Sequence, residues 1–172
     1  MELLERFAGG DLDAFEALFR QFQGEVYRSI VRIVRDPAAA EDLTVETFWR
    51  IYRARARFDP ARKFGPWACR IAANVAIDHL KAAPREVGLT EDPADPAAPD
   101  DVQRQDLARA IRQAFSLLPP KLRAAATLAL VEDLPQAAIA EELGISVAAV
   151  KSREFRAVRL LRKRLRRMGF EP

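Results

Sequence analysis

The sequence predicts an all-α protein in which two small helical domains are joined by a linker. Apolar residues recur at three- and four-residue steps along most of the 172-residue chain, which is the period of an amphipathic helix. No stretch shows the apolar–polar alternation of a strand. In the middle, prolines interrupt any helix and acidic residues leave little to bury. We therefore expect the first domain over residues 1–82, the linker over residues 83–102 and the second domain over residues 103–172.

Three helices are predicted in the first domain. The stripe of the first consists of Phe15, Leu18, Phe22, Val26, Ile30 and Ile33, and Asp13 and Glu16 have capping-box spacing near its start. The pair Asp36-Pro37 is typical of an N-cap and first helical position. The stripe of the second helix would be Ala40, Leu43, Thr47, Phe48 and Ile51. A third helix is expected over residues 66–81, with Ala68, Ile71, Ala72 and Val75 inward.

The predicted linker combines prolines with negative charge. Its prolines are Pro84, Pro93, Pro96 and Pro99, and its acidic residues are Glu86, Glu91, Asp92, Asp95, Asp100 and Asp101. The second domain would open near Gln103 with a stripe of Leu107, Ile111, Phe115 and Leu118. Pro119-Pro120 then restarts the chain, and a further helix runs to about Glu132. Each domain is small for an independent core, which predicts modest stability for either one alone.

Residues 135–167 have the pattern of a helix-turn-helix. Ala140 is small where two helices must approach closely, and Gly144 stands where the turn requires a positive φ. Val150 would anchor the second helix, and Ser146 is placed to cap it. An ordinary helical hairpin is the alternative. The dense basic run from Lys151 to Arg167 favours the DNA-binding interpretation, because such a run attracts polyanions.

The second helix of this motif normally enters the major groove with its N-terminal end first. That geometry places six residues nearest the base edges: Ser146, Val147, Ala148, Lys151, Ser152 and Phe155. Three arginines are better placed for phosphates: Arg153, Arg156 and Arg159. An arginine or lysine on a phosphate contributes affinity, whereas contact with a base edge contributes discrimination.

Two further surfaces are predicted on the first domain. The second helix exposes Asp42, Glu46, Trp49, Arg50 and Arg53, and a tryptophan beside mixed charges suggests a protein interface, although a solvated face is an equal alternative. The third helix presents a polar stripe of Arg70, Asn74, Asp78 and Lys81. Asparagine can read a base edge. Trp67 could stack on an unpaired base, but a tryptophan there more often belongs to the core.

The composition excludes several other classes of protein. The single cysteine, Cys69, and the single histidine, His79, exclude an intramolecular disulfide and an ordinary Cys/His zinc site. The N-terminus lacks the apolar core of a signal peptide, and the longest apolar stretch, residues 124–131, is too short to span a bilayer. We expect a cytoplasmic protein with no cofactor, no metal and no membrane insertion.

The chain resembles the sigma-70 family of RNA polymerase initiation factors, in its extracytoplasmic-function (ECF) group. Ala40 through Phe48 are similar to that group's polymerase-binding region, and Trp67 through Asp78 to its promoter-melting helix, which reads the −10 element. Leu118 through Arg123 and Ile139 through Arg164 resemble its −35-reading domain, and the segment Val150-Lys151-Ser152-Arg153 is especially close. These similarities follow one another in the family's order along nearly the whole chain.

This resemblance implies a non-enzymatic protein that binds RNA polymerase core and promoter DNA. The second helix of the first domain would bind polymerase, and the third helix of that domain would contact the −10 element. The helix-turn-helix of the second domain would read the −35 element. The linker would lie in an electropositive channel of the polymerase, and a plain tether is the alternative. The sequence leaves open whether an anti-sigma factor binds the chain, which promoters it reads and what signal activates it.

Two other functions compete with this interpretation. The first is a stand-alone helix-turn-helix regulator that does not engage polymerase core, which leaves residues 41–48 and the acidic linker unexplained. The second is a metal-dependent nuclease or phosphohydrolase that uses Glu41, Asp42 and Glu46. No second carboxylate cluster, further histidine or glycine-rich phosphate loop accompanies those three residues, which makes an enzyme the weaker alternative.

Overall fold

A computed structural model describes residues 2–82 and 99–170, with side chains from residue 104 onward in the second range. Every regular element in these ranges is helical, as predicted. The helices are α1 (Glu2–Ala8), α2 (Leu12–Val34), α3 (Pro37–Ala54), α4 (Phe64–Ala82), α5 (Pro99–Ser116), α6 (Pro120–Leu130), α7 (Gln136–Leu143) and α8 (Val147–Arg167), with a 3-10 turn at Arg55–Arg57. Residues 83–98 of the predicted linker lie outside the described residues.

The start of the chain differs from the prediction in two ways. The apolar pattern did not indicate α1, which is short and buries Phe7 alone. The N-cap of α2 is Asp11, whose carboxylate accepts a hydrogen bond from the Ala14 N–H at 3.0 Å. The predicted capping box of Asp13 and Glu16 is therefore wrong, because α2 begins at Leu12 and Asp11 caps it by accepting from the Ala14 N–H.

The start of α3 agrees with the prediction. Asp36 is the N-cap, its side chain accepts from the Ala39 N–H at 3.1 Å, and Pro37 occupies the first turn. All of the predicted buried stripe faces inward, although Leu43 is only half-buried. The buried hydroxyl of Thr47 donates to the Leu43 carbonyl at 2.7 Å, which satisfies a polar group that would be costly to bury unpaired.

The buried stripe of α5 differs from the predicted one. The helix begins at Pro99, because proline is well tolerated in a first helical turn where its missing N–H would have no partner. Its buried residues are Ala110 and Ala114, followed by Leu118 just past its end. Leu107 and Ile111 are each 39 % exposed, so these two members of the predicted stripe are wrong.

The N-terminal half, α1–α4, and the C-terminal half, α5–α8, pack against each other. Helices α6 and α7 of the C-terminal half lie against α4, and α6 also contacts α2. Buried residues of both halves consequently form one continuous cluster, in which Ala73 and Ile77 of α4 join Leu128 of α6 and Ile139 of α7. A smaller second cluster holds α5 against α6 and α8 through Ala114, Ala126, Ala157 and Leu161.

Phe7 gives α1 its place in the fold, and its removal tests that role. The ring is fully buried and contacts four other aromatic rings, those of Phe15, Phe58, Phe64 and Trp67. We expect Phe7→Ala to lower the free energy of unfolding by about 3 kcal/mol or more, because truncating a buried phenylalanine leaves a cavity. Urea denaturation measures this loss. Leu12→Ala is the control, since Leu12 is 65 % exposed; equal losses in the two variants would contradict the assignment.

Candidate nucleic-acid interface

Helices α7 and α8 form the predicted helix-turn-helix. Gly144 ends α7 with φ 65°, a left-handed conformation that favours glycine. Ser146 caps α8, and its hydroxyl accepts from the Ala149 N–H at 3.1 Å. Val150 is fully buried and Ala140 nearly so, which fixes the rotation of α8 about its own axis. The structure thus confirms each of the roles predicted for these four residues.

We call the exposed side of α8 the α8 face. Of the nine residues predicted to contact DNA, eight are exposed there: Ser146, Val147, Ala148, Lys151, Ser152, Phe155, Arg156 and Arg159. Arg153 is the exception, since it is half-buried, and burial followed by the nearby Arg156 lowers the pKa of its guanidinium. Phe155 is 68 % exposed, so its ring is accessible to a partner on this face.

Two hydrogen bonds order the polar side chains around the α8 face. Arg156 donates to the Ser152 hydroxyl at 3.1 Å, so the two groups are held one turn apart. Gln136, at the start of α7, donates to the Glu154 carboxylate at 2.7 Å. This contact draws the one acidic residue of the helix toward the α7 side. Gln136 and Glu154 line a groove of about 830 Å³, and the basic part of its lining extends to Arg162, Lys163 and Arg166.

We call the exposed side of α4 the α4 stripe. Its four members, Arg70, Asn74, Asp78 and Lys81, are all exposed, as the sequence predicts. Lys81 and Arg50 each donate to the Asp78 carboxylate at 3.2 Å. Those two hydrogen bonds, the one from Lys81 first, lower the pKa of Asp78 below its usual range. Asp78 therefore carries a negative charge that links α4 to α3 and partly neutralises the positive end of the stripe.

Trp67 belongs to the core rather than to the exposed stripe. Its ring is half-buried, and its centroid lies 4.7 Å from that of Phe58 and 5.7 Å from that of Phe64. Such tilted aromatic contacts stabilise a packed cluster. The structure therefore gives Trp67 an aromatic packing role at the start of α4, and most of its surface is unavailable for stacking on a base.

The predicted polymerase-binding residues lie together on α3, and we call them the α3 surface: Asp42, Glu46, Trp49, Arg50 and Arg53. Trp49 is 58 % exposed at its centre. Arg50 donates to the Glu46 carboxylate at 2.7 Å as well as to Asp78, so it is held inside the protein's own network. Asp42, Trp49 and Arg53 remain the more accessible members of the surface.

The sequence analysis missed the contact between the two halves. A methyl group built on Gly144 would lie 2.4 Å from Nε of Arg70, so the turn of the helix-turn-helix rests directly on the α4 stripe. Arg32 of α2 and Glu142 of α7 form an ion pair at 3.5 Å, and Arg35 forms another with Glu132. Arg123 donates to the Leu80 carbonyl at 3.3 Å. No periodicity within a single helix indicates pairings of this kind.

Known families match both halves of the chain. Residues 18–86 match the family described as Sigma-70 region 2, and residues 108–161 match the one described as Sigma-70, region 4. The chain belongs to the sigma-70 family. It is an ECF sigma factor, a non-enzymatic protein that directs transcription initiation with RNA polymerase. The region 4 match covers α7 and α8 as far as Leu161.

Individual relatives agree with this membership. The sigma factor is 39 % identical to the RNA polymerase sigma factor CarQ of Myxococcus xanthus over 98 % of each chain. It is 36 % identical to the ECF sigma factor BldN of Streptomyces coelicolor, over 96 % of this chain and 65 % of that protein. It is 35 % identical to the ECF sigma factor SigW of Bacillus subtilis, over 91 % of each.

Solved structures share the fold. The structure of CnrH in complex with the cytosolic domain of CnrY matches with a TM-score of 0.56 at 24 % identity, over 92 % of each chain. The sigma factor RpoE in complex with the anti-sigma factor NepR, from Bartonella quintana, matches with a TM-score of 0.50 at 19 % identity, over 88 % of this chain and 96 % of that one. No helix within the described residues of this sigma factor is long and apolar enough to cross a membrane.

Cys69 offers a chemical test of the packing around α4. Its thiol donates to a Glu25 oxygen at 3.6 Å, and burial, with Glu25 and Glu142 adding to it, raises the pKa of Cys69 to about 12. Because the thiolate is the reactive form, we expect a thiol-specific disulfide reagent at pH 8 to label the native protein far more slowly than the urea-unfolded chain. The absorbance of the released thiol follows both rates. Comparable rates would show that Cys69 is not packed as described.

Proposed function

We propose that the α3 surface, the α4 stripe and the α8 face each make a different contact during transcription initiation. The α3 surface binds RNA polymerase core, the α4 stripe contacts the −10 element, and the α8 face reads the −35 element. On this proposal residues 1–82 carry the first two roles, residues 103–172 carry the third and residues 83–102 link them. The matches to region 2 and region 4 fall inside the two outer ranges apart from the last few residues of the first, which supports the division.

The observation that carries the proposal is the α8 face itself. Helix α8 has a capped, exposed N-terminal end, and Lys151 and Ser152 on it are candidates for contacting bases, with arginines beside them. Helix-turn-helix proteins insert a helix with these features into the major groove. In vitro transcription with purified core polymerase and a pool of genomic promoters tests the whole proposal. Promoter-specific transcripts that require the sigma factor are expected.

A regulator that binds DNA without polymerase core remains the competing function. The α3 surface decides between the two, because such a regulator has no use for an exposed tryptophan there. Native electrophoresis of the sigma factor with core polymerase distinguishes them, and formation of a holoenzyme is the result that we expect.

We further infer that an anti-sigma factor is a partner and that the sigma factor works in the cytoplasm, where RNA polymerase transcribes. The complex of RpoE with the anti-sigma factor NepR supports the first inference, because the sigma factor in that complex shares the fold of this chain. Affinity purification of the tagged sigma factor from its own cells, with and without cross-linking, tests it. Recovery of polymerase subunits alone would count against the anti-sigma partner.

Trp49 should dominate the affinity for polymerase core. Exposed tryptophans at the centre of an interface are frequent hot spots, and their truncation costs about 2 kcal/mol or more. We therefore expect Trp49→Ala to weaken holoenzyme formation by roughly 30-fold. Leu12→Ala is the control, since Leu12 is 65 % exposed on α2, outside the α3 surface. Fluorescence anisotropy of labelled sigma factor titrated with core measures both, and equal effects would contradict the α3 surface.

Asn74 should act after duplex binding. A base leaves the stack at a cost of a few kcal/mol, and hydrogen bonds to its edge can offset that cost. Asn74 is exposed at the middle of the α4 stripe, so we expect Asn74→Ala to impair opening of the −10 element more than binding of the closed promoter. Permanganate footprinting of the holoenzyme reports the opening, and normal reactivity of the opened thymines would assign Asn74 to another role.

Lys151 and Arg156 should differ in what they contribute on the α8 face. Arg156→Ala is expected to weaken binding to every duplex and to reduce the salt slope by about one unit, because a phosphate contact is lost. Lys151→Ala should instead relax preference at one −35 position, by roughly 1–3 kcal/mol for the preferred base. Titration on matched and mismatched −35 duplexes at several salt concentrations separates these effects. A uniform loss for Lys151→Ala would mean that α8 is rotated in the groove.

A further inference from the structure

We propose that Glu154 is a further specificity-determining residue on α8. Its carboxylate accepts a hydrogen bond from the amino group of a cytosine in the −35 element, and Gln136 positions it for that contact. Glu154 is not among the nine residues that the sequence predicts to contact DNA. The inference rests on the proposed reading of the −35 element by α8 and names one base that this helix selects.

The position of Glu154 on α8 places it beside the residues proposed to read bases. It follows Lys151 by three residues and precedes Phe155, and all three side chains line the groove described above. Residues three apart on a helix are neighbours on its surface. Glu154 lies about 10 Å along the axis from the start of α8, at a rise of about 1.5 Å per residue. It therefore belongs to the N-terminal half of the helix, which is the part that approaches base edges.

Glu154 is held by a neutral partner in spite of the cations on the same helix. It is the one acidic residue of α8, which carries nine lysines and arginines. Gln136 Nε2 donates to Glu154 Oε2 at 2.7 Å, and no ion pair joins Glu154 to a lysine or arginine within the described residues. Its Oε1 atom accepts no hydrogen bond from any residue that the structure describes. The carboxylate therefore keeps both its charge and one free acceptor oxygen.

A free acceptor differs in kind from the other polar groups of the α8 face. Lysine and arginine side chains only donate hydrogen bonds, so they suit the O6 and N7 acceptors of guanine. An ionised carboxylate only accepts, so it requires a donor on the base edge. In the major groove thymine and guanine present acceptors, and adenine places its N7 acceptor beside its amino group. Cytosine presents an amino donor without a neighbouring acceptor, and it is consequently the base that Glu154 would select.

The hydrogen bond from Gln136 gives Glu154 what a base-reading side chain needs. A glutamate three residues after a lysine on a helix is ordinarily close enough to pair with it, which would neutralise both groups. Gln136 holds the carboxylate at the start of α7 without adding a charge. A side chain that is ordered before binding also loses less conformational freedom on contacting a base. Where DNA offers no donor, the same negative charge faces acceptors or phosphates and opposes binding.

Three variants separate base reading by Glu154 from its charge and from its packing. Glu154→Gln keeps the shape of the side chain, and glutamine pairs with the N6 and N7 atoms of adenine, so the selected base should change from cytosine to adenine. Glu154→Ala should abolish the preference at that position. Glu141→Gln removes the same charge from an exposed site on α7 and should leave every base preference unchanged.

A fourth variant tests the positioning role of Gln136. Gln136→Ala should reduce the preference for cytosine severalfold at the same position and at no other. In the Glu154→Ala background the loss of Gln136 should have no further effect on base preference, because the side chain that it positions is already absent. A further change of the preference in the double variant would show that Gln136 acts on DNA independently of Glu154.

The measurement uses holoenzyme assembled from the full-length sigma factor and core polymerase. The probe is a pool of DNA duplexes randomised along a length that holds both promoter elements, and the retained duplexes are sequenced. Cytosine at one upstream position should be enriched about tenfold more by the wild type than by Glu154→Ala, as expected for one good base contact. Identical base preferences for the wild type and Glu154→Gln would overturn the proposal. So would a loss of preference at all positions together, which would assign Glu154 to the packing of α7 on α8.

The same selection distinguishes this inference from the proposed function. If the wild-type holoenzyme enriches no upstream motif, the reading of a −35 element by α8 fails, and the role of Glu154 fails with it. If the wild type enriches an upstream motif that is the same for Glu154→Gln and Glu154→Ala, the role of Glu154 fails while the proposed function stands.

Discussion

The rest of the structure depends on the close packing around α4. Four alanines of that helix, Ala68, Ala72, Ala73 and Ala76, are fully buried. Because alanine has no side chain beyond Cβ, neighbouring helices can approach on more than one side. Helices α2 and α3 lie against α4 from the N-terminal half, and α6 and α7 lie against it from the C-terminal half. A larger residue at these positions would force one set of helices away from the other.

This arrangement separates residues that serve the fold from residues that are available to a partner. Trp67 begins α4, but its ring is taken up by the aromatic cluster, whereas Asn74 lies on the remaining exposed side. The same separation occurs on α8, where Arg153 is half-buried while Lys151 and Arg156 are exposed. A polar or aromatic residue within a motif can therefore contact DNA only when the packing around it leaves its side chain accessible.

The contact between the halves places charge where a purely structural interface would not need it. Replacing a buried ion pair by apolar residues often stabilises a protein, because desolvation offsets the attraction between the charges. Glu142 is such a buried carboxylate, and its raised pKa has desolvation as the first cause.

The sequence by itself determined the helical class, the caps at Asp36 and Ser146, the turn at Gly144 and most of the exposed residues of α3, α4 and α8. Those features follow from periodicity and local hydrogen bonding, both of which act within a few residues. Only the tertiary structure decided the burial of Trp67 and Arg153, the stripe of α5 and the packing of α7 on α4. These depend on which distant helices meet, and a pairing such as Arg32 with Glu142 leaves no periodic trace because its partners lie 110 residues apart.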